Sequence, residues 1–468
     1  MGRSRRNRKE LQGLEITAIA AEGRGLGRQE GKVVFVDYGI PGDVVDVRLT
    51  KNKKDYAEGN ITNLVSPSEL RQESFCELFG LCGGCRWQHI SYEQQISYKH
   101  NIVEESFRRI GKLTDYELQP ILGCSLTRGY RNKMEYTFSN QCWLTEEQIK
   151  SGAEIDRRAV GFHVSGQARR VINIEKCYLQ DDFGNKIRNS IYEFSTANDI
   201  SFYDHYNHEG FLRNLILRNT TLGEIMLLLC VGSNDQEWID IIMNFVQERF
   251  PELTSINYVV NEKLNDTIYD LEVVNFAGKD HIIEQLGDIK YRIGPKSFFQ
   301  TNSHQAKNLF DLIVEYAAIE STDLVYDLYC GIGSIGLYVA HLAKEVVGVE
   351  TVPEAIEDAK LNMNLNGIVN TKFHAGSSER LLSNEFLNEN GRPDIVITDP
   401  PRAGMHKDVV EFLLRAEPKK IVYVSCNPVT QARDIQLLQE KYTLVKARPV
   451  DMFPHTYHVE NVALLVRK

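Results

Sequence analysis

The chain reads as an α/β protein built on a doubly wound, Rossmann-like parallel sheet, with a small OB-like barrel at its N-terminus and a central α+β region. Three observations give this reading. From Leu324 to Val466, apolar strand-like runs alternate with helical patterns, as in a parallel sheet covered on both faces. The first of those runs, Leu324-Val325-Tyr326-Asp327-Leu328-Tyr329, passes straight into Cys330-Gly331-Ile332-Gly333-Ser334-Ile335-Gly336, a strand, glycine loop and helix start. Residues 12–66 carry short strands separated by glycine clusters, the spacing of a small closed barrel.

A length of 468 residues suits two to four domains and more than one core. No apolar run reaches the length of a membrane span, and no signal-peptide core follows the basic N-terminus, so a cytoplasmic, monomeric protein without membrane contact is expected. Nine cysteines, an odd number in a chain of this kind, favour metal binding or catalysis over disulfides. The net charge of −10 speaks against a generally basic nucleic-acid binder, but the charge is uneven. Residues 1–66 hold twelve Lys/Arg against nine Asp/Glu, and Arg3, Arg5, Arg6, Arg8 and Lys9 form an arm suited to phosphates.

In order, strands are expected at Leu14–Ala18, Lys32–Val36, Asp43–Leu49 and near Tyr56–Leu64, with Gly23-Arg24-Gly25-Leu26-Gly27-Arg28 and Gly39-Ile40-Pro41-Gly42 between them. Cys76, Cys82 and Cys85 fall within ten residues, and Gly83-Gly84 allows a tight loop. Such a set can surround one metal centre if a fourth thiolate joins it from Cys124, Cys142, Cys177 or Cys230. The spacing does not choose zinc over iron. Residues 91–111 follow a helical pattern with Ile96, His100, Val103, Phe107 and Ile110 on one face. Gly129–Phe138 reads as a strand with Arg131, Lys133 and Glu135 on one side, a row able to hold an RNA backbone. A helix is expected over Trp238–Phe250, and Cys230 reads as core.

The C-terminal strands each end in a polar signature. Glu345–Glu350 closes on a carboxylate placed to accept from a ribose diol. Asp394–Thr398 ends in Asp399-Pro400-Pro401-Arg402. Ile421–Val424 runs into Ser425-Cys426-Asn427-Pro428, which puts a thiol at the carboxyl end of a central strand, where open α/β sheets bind ligands. Position alone favours a buried, inert thiol over a nucleophile, and the rest of the chain turns that balance. Phe453-Pro454-His455-Thr456-Tyr457-His458 then precedes Glu460 at the start of the last strand.

In this order, Gln300, Asp327–Gly336, Glu350, Asp399-Pro-Pro-Arg402, Ser425-Cys-Asn-Pro428 and His458-Val-Glu460 closely resemble the RNA uracil-5-methyltransferase family. The cysteine loop and the Gly-Arg-Gly-Leu-Gly-Arg segment, which resembles a TRAM domain, match its iron–sulfur branch, whose members mostly modify 23S ribosomal RNA. The resemblance implies a [4Fe-4S] cluster on Cys76, Cys82, Cys85 and Cys177. It implies S-adenosylmethionine contacts at Gln300, Tyr329, Ser334, Glu350 and Asp399, with Cys426 as nucleophile and Glu460 as base. Ser334, where some members have Asn, and Gly376-Ser377 depart from the pattern or are undiagnostic. The implied domains are a barrel with its arm over 1–66, a cluster domain over 67–285 and a methyltransferase domain over 286–468, with residues 91–120 packing on the last. The partner is RNA, ribosomal RNA foremost and transfer RNA as the other possibility.

The roles also follow from chemistry. Carbon 5 of uracil attacks a methyl sulfonium only after a thiolate adds at carbon 6. A carboxylate must then take the surplus proton from carbon 5 so that the thiolate can leave. His455 and His458 are rival bases or RNA contacts. Cytosine-5 methylation shares the thiolate step, and an inactive RNA-binding iron–sulfur protein is the reading from another class.

Overall fold

The computed structural model describes residues 9–20 and 22–468; the arm at Arg3, Arg5, Arg6 and Arg8 lies outside them. Strands β1 (Glu10–Ile19), β2 (Gly25–Gln29), β3 (Lys32–Asp37), β4 (Val44–Asn52) and β5 (Tyr56–Ser66) close into a barrel in the order β1-β2-β3-β5-β4. Alternate residues Leu14, Ile16, Val34, Val36, Val45 and Val47 fill its interior, the period of two that strands impose. The glycine-rich stretch expected as a connection contains β2 instead. The reason is close packing: a Cβ on Gly25 would stand 2.6 Å from the Gly39 carbonyl oxygen, and one on Gly27 2.5 Å from that of Glu15. Glycine here lets neighbouring backbones approach, which overrides its low strand propensity.

Residues 67–90 form no helix and no extended strand. Helix α1 (Tyr92–Arg109) follows, with the Ser91 hydroxyl accepting from the Gln94 amide as N-cap. Its face differs from the expected one. Gln95, Lys99, Ile102, Val103, Ser106 and Phe107 are buried, whereas Ile96 and His100 are half-buried and Ile110 is exposed. Gln95 and Lys99 go inward because they have partners there, as described below, and the Ser106 hydroxyl donates to Ile102 O.

A seven-stranded mixed sheet comes next, in the order Val273–Gly278, Ser255–Val260, Ile225–Val231, Leu212–Asn219, Lys133–Ser139, Ala159–Val164, Gln167–Asn173. Helices Asp182–Ala197 and Gln236–Arg249 pack on it around Ile187, Ile191, Leu215, Leu229, Ile242 and Val246. The strand expected from Gly129 begins only at Lys133, so Arg131 precedes it. A hairpin, Ile282–Leu286 and Ile289–Ile293, leads to the last sheet.

That sheet has eight strands: Thr371–Ala375, Glu345–Glu350, Leu324–Leu328, Ile395–Thr398, Lys420–Ser425, Glu460–Arg467, Tyr442–Val450 and Glu117–Leu118. The first five run parallel, and Glu460–Arg467 is antiparallel to both its neighbours. Residues 117–118 pair beside Tyr442–Val450, and α1 packs on helix Pro428–Leu438. This is the doubly wound sheet that the alternating pattern implies. It brings the carboxyl ends of Leu324–Leu328, Glu345–Glu350, Ile395–Thr398 and Lys420–Ser425 to one edge.

Candidate active site and cysteine centre

At that edge lies a cavity of about 1130 Å³, lined by Gln300, Tyr329, Ser334, Glu350, Asp399, Arg402, Cys426, His458 and Glu460. The structure thus brings the expected cofactor residues, thiol and base around one space. It does not bring Gly376, Ser377 or His455 there: Gly376 donates its amide to the Glu350 carbonyl, and His455 is buried in the loop beneath.

Local sequence explains each placement. Tyr329 turns the chain out of its strand with φ 65°, and the amides of Tyr329 and Cys330 both donate to Val349 O. The Glu350 carboxylate accepts from the amides of Gly331 at 3.1 Å and Val352 at 2.9 Å, which fixes its direction. The Gln300 loop is held from the central sheet, where Asn132 Nδ2 donates to Gln300 O at 2.9 Å and Ser303 Oγ at 2.7 Å. Asn427 accepts from the Val429 amide and so caps helix Pro428–Leu438, with Pro428 at the first position. Asn427 Nδ2 donates to Arg402 O at 3.0 Å and ties the two signature loops together. Cys426 therefore sits between the end of its strand and a helix N-terminus, whose partial positive charge favours a thiolate.

Burial dominates the electrostatics. It pushes the Cys426 thiol up to about 11, with Glu460 and Asp399 adding to the shift and Arg402 opposing it. Burial also raises Glu460 and Asp399 well above ordinary carboxyls, and for Glu460 the Asp399 charge adds to this while Arg402 again opposes. His458 goes the other way. Burial first, then Arg402, whose Nη2 is 3.4 Å from each ring nitrogen, lowers it to about 4. The raised carboxylate is the stronger proton acceptor of the two.

The loop between Val450 and Glu460 contributes Phe453 and His458 to the cavity, and its backbone is held throughout. The Asp451 amide donates to Leu122 O, and Asn302 Nδ2 donates to Met452 O. Lys99 Nζ donates to Asp451 Oδ1 at 2.6 Å and to Phe453 O at 3.0 Å, with both charged side chains fully buried. Tyr130 Oη donates to Pro454 O, and the His455 amide donates to Gln95 Oε1 at 2.8 Å. The barrel touches the same loop: a Cβ on Gly23, at φ 73°, would stand 2.6 Å from Tyr457 Cβ. Gln95 and Lys99 are functional positions that the sequence reading missed. The only signal is that they continue, at helical steps of three or four, the series formed by Ile102, Val103 and Ser106, because Gln and Lys on a helix ordinarily mark its solvent face.

A second cavity, of about 380 Å³, is lined by Cys76, Cys82, Cys85 and Cys177 together. Cys124, Cys142 and Cys230 are buried elsewhere. Burial raises all four lining thiols, Cys82 to about 11 and Cys85 to about 12. The Gly84 amide donates to Cys82 Sγ at 3.4 Å, and Arg131 and Lys176 line the wall. Among the described residues, no group of three or more His, Cys, Asp or Glu side chains is arranged to hold a single metal ion. No helix among them is long and apolar enough to cross a membrane.

A parallel sheet with a glycine loop after its first strand, an acidic residue closing the second and a thiol beside a carboxylate at its edge defines a Rossmann-type methyltransferase fold. The family described as tRNA (Uracil-5-)-methyltransferase matches residues 235–468, and a TRAM domain matches residues 5–62. An RNA methyltransferase of Bacteroides thetaiotaomicron is 49% identical over 451 residues, which is 96% of this chain and 99% of that protein. One of Porphyromonas gingivalis is 47% identical over 465 residues, covering 97% of this chain and 99% of that protein. The crystal structure of Pyrococcus abyssi tRNA (uracil-54, C5)-methyltransferase in complex with S-adenosyl-L-homocysteine matches with a TM-score of 0.75 at 29% identity, over 97% of this chain and 100% of that one. The chain belongs to the tRNA (uracil-5-)-methyltransferase family and carries a TRAM barrel at its N-terminus.

Proposed function

We propose that this protein forms 5-methyluridine in RNA, with 23S ribosomal RNA as substrate and S-adenosylmethionine as methyl donor. The observation that carries the reading is the placement of Cys426 and Glu460 in one cavity with Gln300, Tyr329, Ser334, Glu350 and Asp399. The uridine leaves its stack to reach the thiol. Cys426, as thiolate, bonds to carbon 6, and the ring becomes an enolate with its electron pair at carbon 5. The carbon 5 electron pair takes up the methyl group that the bound donor would supply, the methyl–sulfur bond breaking so that the sulfonium leaves as a neutral thioether. Glu460 takes the carbon 5 proton, the ring double bond re-forms and the carbon–sulfur bond breaks, returning the thiolate. Glu350, held by two amides, accepts from the donor's ribose hydroxyls, and the barrel engages RNA around the target.

A uridine in transfer RNA is the second reading, favoured by the full-length match to a tRNA (uracil-54, C5)-methyltransferase. Mapping 5-methyluridine and 5-methylcytidine in ribosomal and transfer RNA, with and without the gene, separates these readings. Loss of a ribosomal 5-methyluridine supports the proposal. Loss only from transfer RNA, or loss of 5-methylcytidine, overturns it.

Two results are expected of the site itself. Glu350→Ala should weaken donor binding by about 2–3 kcal/mol, measured by calorimetry, because two charge-assisted hydrogen bonds are lost. Covalent-adduct formation in single turnover should rise by about tenfold per pH unit from pH 7 to 9, since the thiolate fraction grows in that proportion below the thiol pKa. Glu460 acts on the later step instead: its raised pKa means that lower pH leaves it protonated and unable to accept, which slows elimination and not adduct formation. A flat profile would show that burial does not hold the thiol protonated.

Cys76, Cys82, Cys85 and Cys177 are further proposed as ligands of a [4Fe-4S] cluster, which would add an electron-transfer and cross-linking centre. The residues fit. Four cysteines from two segments line one cavity, the Gly84 amide donates to Cys82 Sγ, and Arg131 lies in the same wall, where it would partly offset the negative charge of a four-thiolate centre.

A further inference from the structure

Residues that adjoin the cysteines of the second cavity touch the loop that enters the first. Phe75, next to Cys76, sets its ring edge-on to His455 with centroids 4.9 Å apart. Arg86 and Trp87, next after Cys85, both donate their backbone amides to His455 O, at 2.8 and 3.1 Å. On its other side His455 is gripped by Gln95, which accepts from its amide and lies 3.2 Å from its Nδ1. His455 itself has φ 66°, a conformation that a side chain other than glycine keeps only when its surroundings enforce it.

The enforcing segment is irregular. Residues 67–90 form no helix and no extended strand, so their backbone amides are not fixed by regular secondary structure. Cys76, Cys82 and Cys85 lie within this stretch, and Cys177 faces them from the central region. A group bonded to all four would pin the loop on which the Phe75 ring and the Arg86 and Trp87 amides are carried.

We infer that the four-cysteine centre is a positioning device for the catalytic loop: the segments bearing Cys76 and Cys85 hold the turn at His455, and that turn sets Phe453 and His458 against Cys426 and Glu460. This rests on the proposed roles of those cysteines and of Cys426 and Glu460. His455 is the positioning residue. It lies outside the catalytic cavity and acts through its neighbours. The strand bearing Cys426 is held separately by its pairing with Ile395–Thr398 and Glu460–Arg467, so loss of the centre should loosen the loop without loosening the nucleophile.

The test uses the full chain, purified anaerobically, with hydrogen exchange followed by mass spectrometry before and after removal of iron by a chelator. Peptides covering 453–459 should exchange at least tenfold faster in the iron-free protein, while those covering 420–425 stay unchanged. Because the iron-free protein could unfold as a whole, His455→Gly provides a second route. Glycine keeps the left-handed backbone without strain and leaves all four cysteines, so the visible absorbance should remain. The Phe75 ring contact and the Gln95 contact to Nδ1 are lost while the backbone bonds of residue 455 remain, so the 453–459 peptides should exchange faster and KM for target RNA should rise at least fivefold with kcat changed less. His455→Asn, which tolerates the same conformation and retains an acceptor for Gln95, should recover part of the KM. Iron-bearing wild-type protein whose 453–459 exchange is indifferent to iron, or a coloured His455→Gly protein with wild-type exchange and KM, overturns this inference alone. Wild-type protein that holds no iron overturns the cluster reading and this inference with it.

Discussion

Glu460→Gln is expected to accumulate as a covalent protein–RNA adduct, methylated at carbon 5 and joined through Cys426 at carbon 6. The order of bond changes demands it. Thiolate addition and methyl transfer both precede removal of the carbon 5 proton, and Gln is nearly isosteric with Glu but cannot accept that proton. Elimination should slow by roughly 10²–10⁴, the usual contribution of a positioned base. A denaturing gel with methyl-labelled donor and target RNA should show a slow-migrating labelled band, and Cys426→Ala added to the same chain should remove it. Turnover of Glu460→Gln at near the wild-type rate would place the base elsewhere. His458, the other titratable side chain of that loop in the cavity, would then be the one to substitute.

Lys99→Met should cost about 3–5 kcal/mol of stability, because it leaves Asp451 buried without its counter-ion. Burial alone lowers the Lys99 pKa, and the Asp451 carboxylate is what opposes that shift, so the pair is held by mutual need. Asp451 Oδ1 also accepts from the Phe453 amide at 3.0 Å. Lys99→Met combined with Asp451→Leu should therefore recover only part of the loss, since that amide is then left buried and unpaired at about 1–3 kcal/mol. Urea denaturation of the single and the double variant measures both values. A single variant as stable as wild type would mean that water reaches Asp451 and solvates it.

Much of the catalytic site was legible because its residues sit at strand ends, where local sequence carries the signal. Glu350 closes an apolar run, Asp399 opens Asp-Pro-Pro-Arg, and Cys426 lies between a buried strand and an Asn-Pro helix start. The support of that site was not legible. Gln95 and Lys99 lie outside the helix face read from Ile96, His100, Val103, Phe107 and Ile110, and nothing local says that Asp451 and His455, 352 residues from Lys99 and 360 from Gln95, will meet them. The glycine stretch before β3 read as a connection because strand propensity disfavours glycine. Only the approach of Gly39 and Glu15 shows why glycine is required in β2.

The sequence by itself determined the parallel sheet, the barrel and the identity of the chemical groups, because hydrophobic period and strand-end residues are properties of contiguous chain. Residue spacing left open which cysteine faces Cys76, Cys82 and Cys85; the family resemblance implied Cys177, and the tertiary structure puts it there. Cys124, Cys142, Cys177 and Cys230 are alike in type, and the packing of residues 174–179 against the 76–85 loop singles out Cys177. Tertiary structure alone decided that Glu460 is buried and raised while His458 is lowered. A pKa is set by the solvent and charge around a group, and here those come from Asp399, Arg402 and the closed cavity, all remote in the chain.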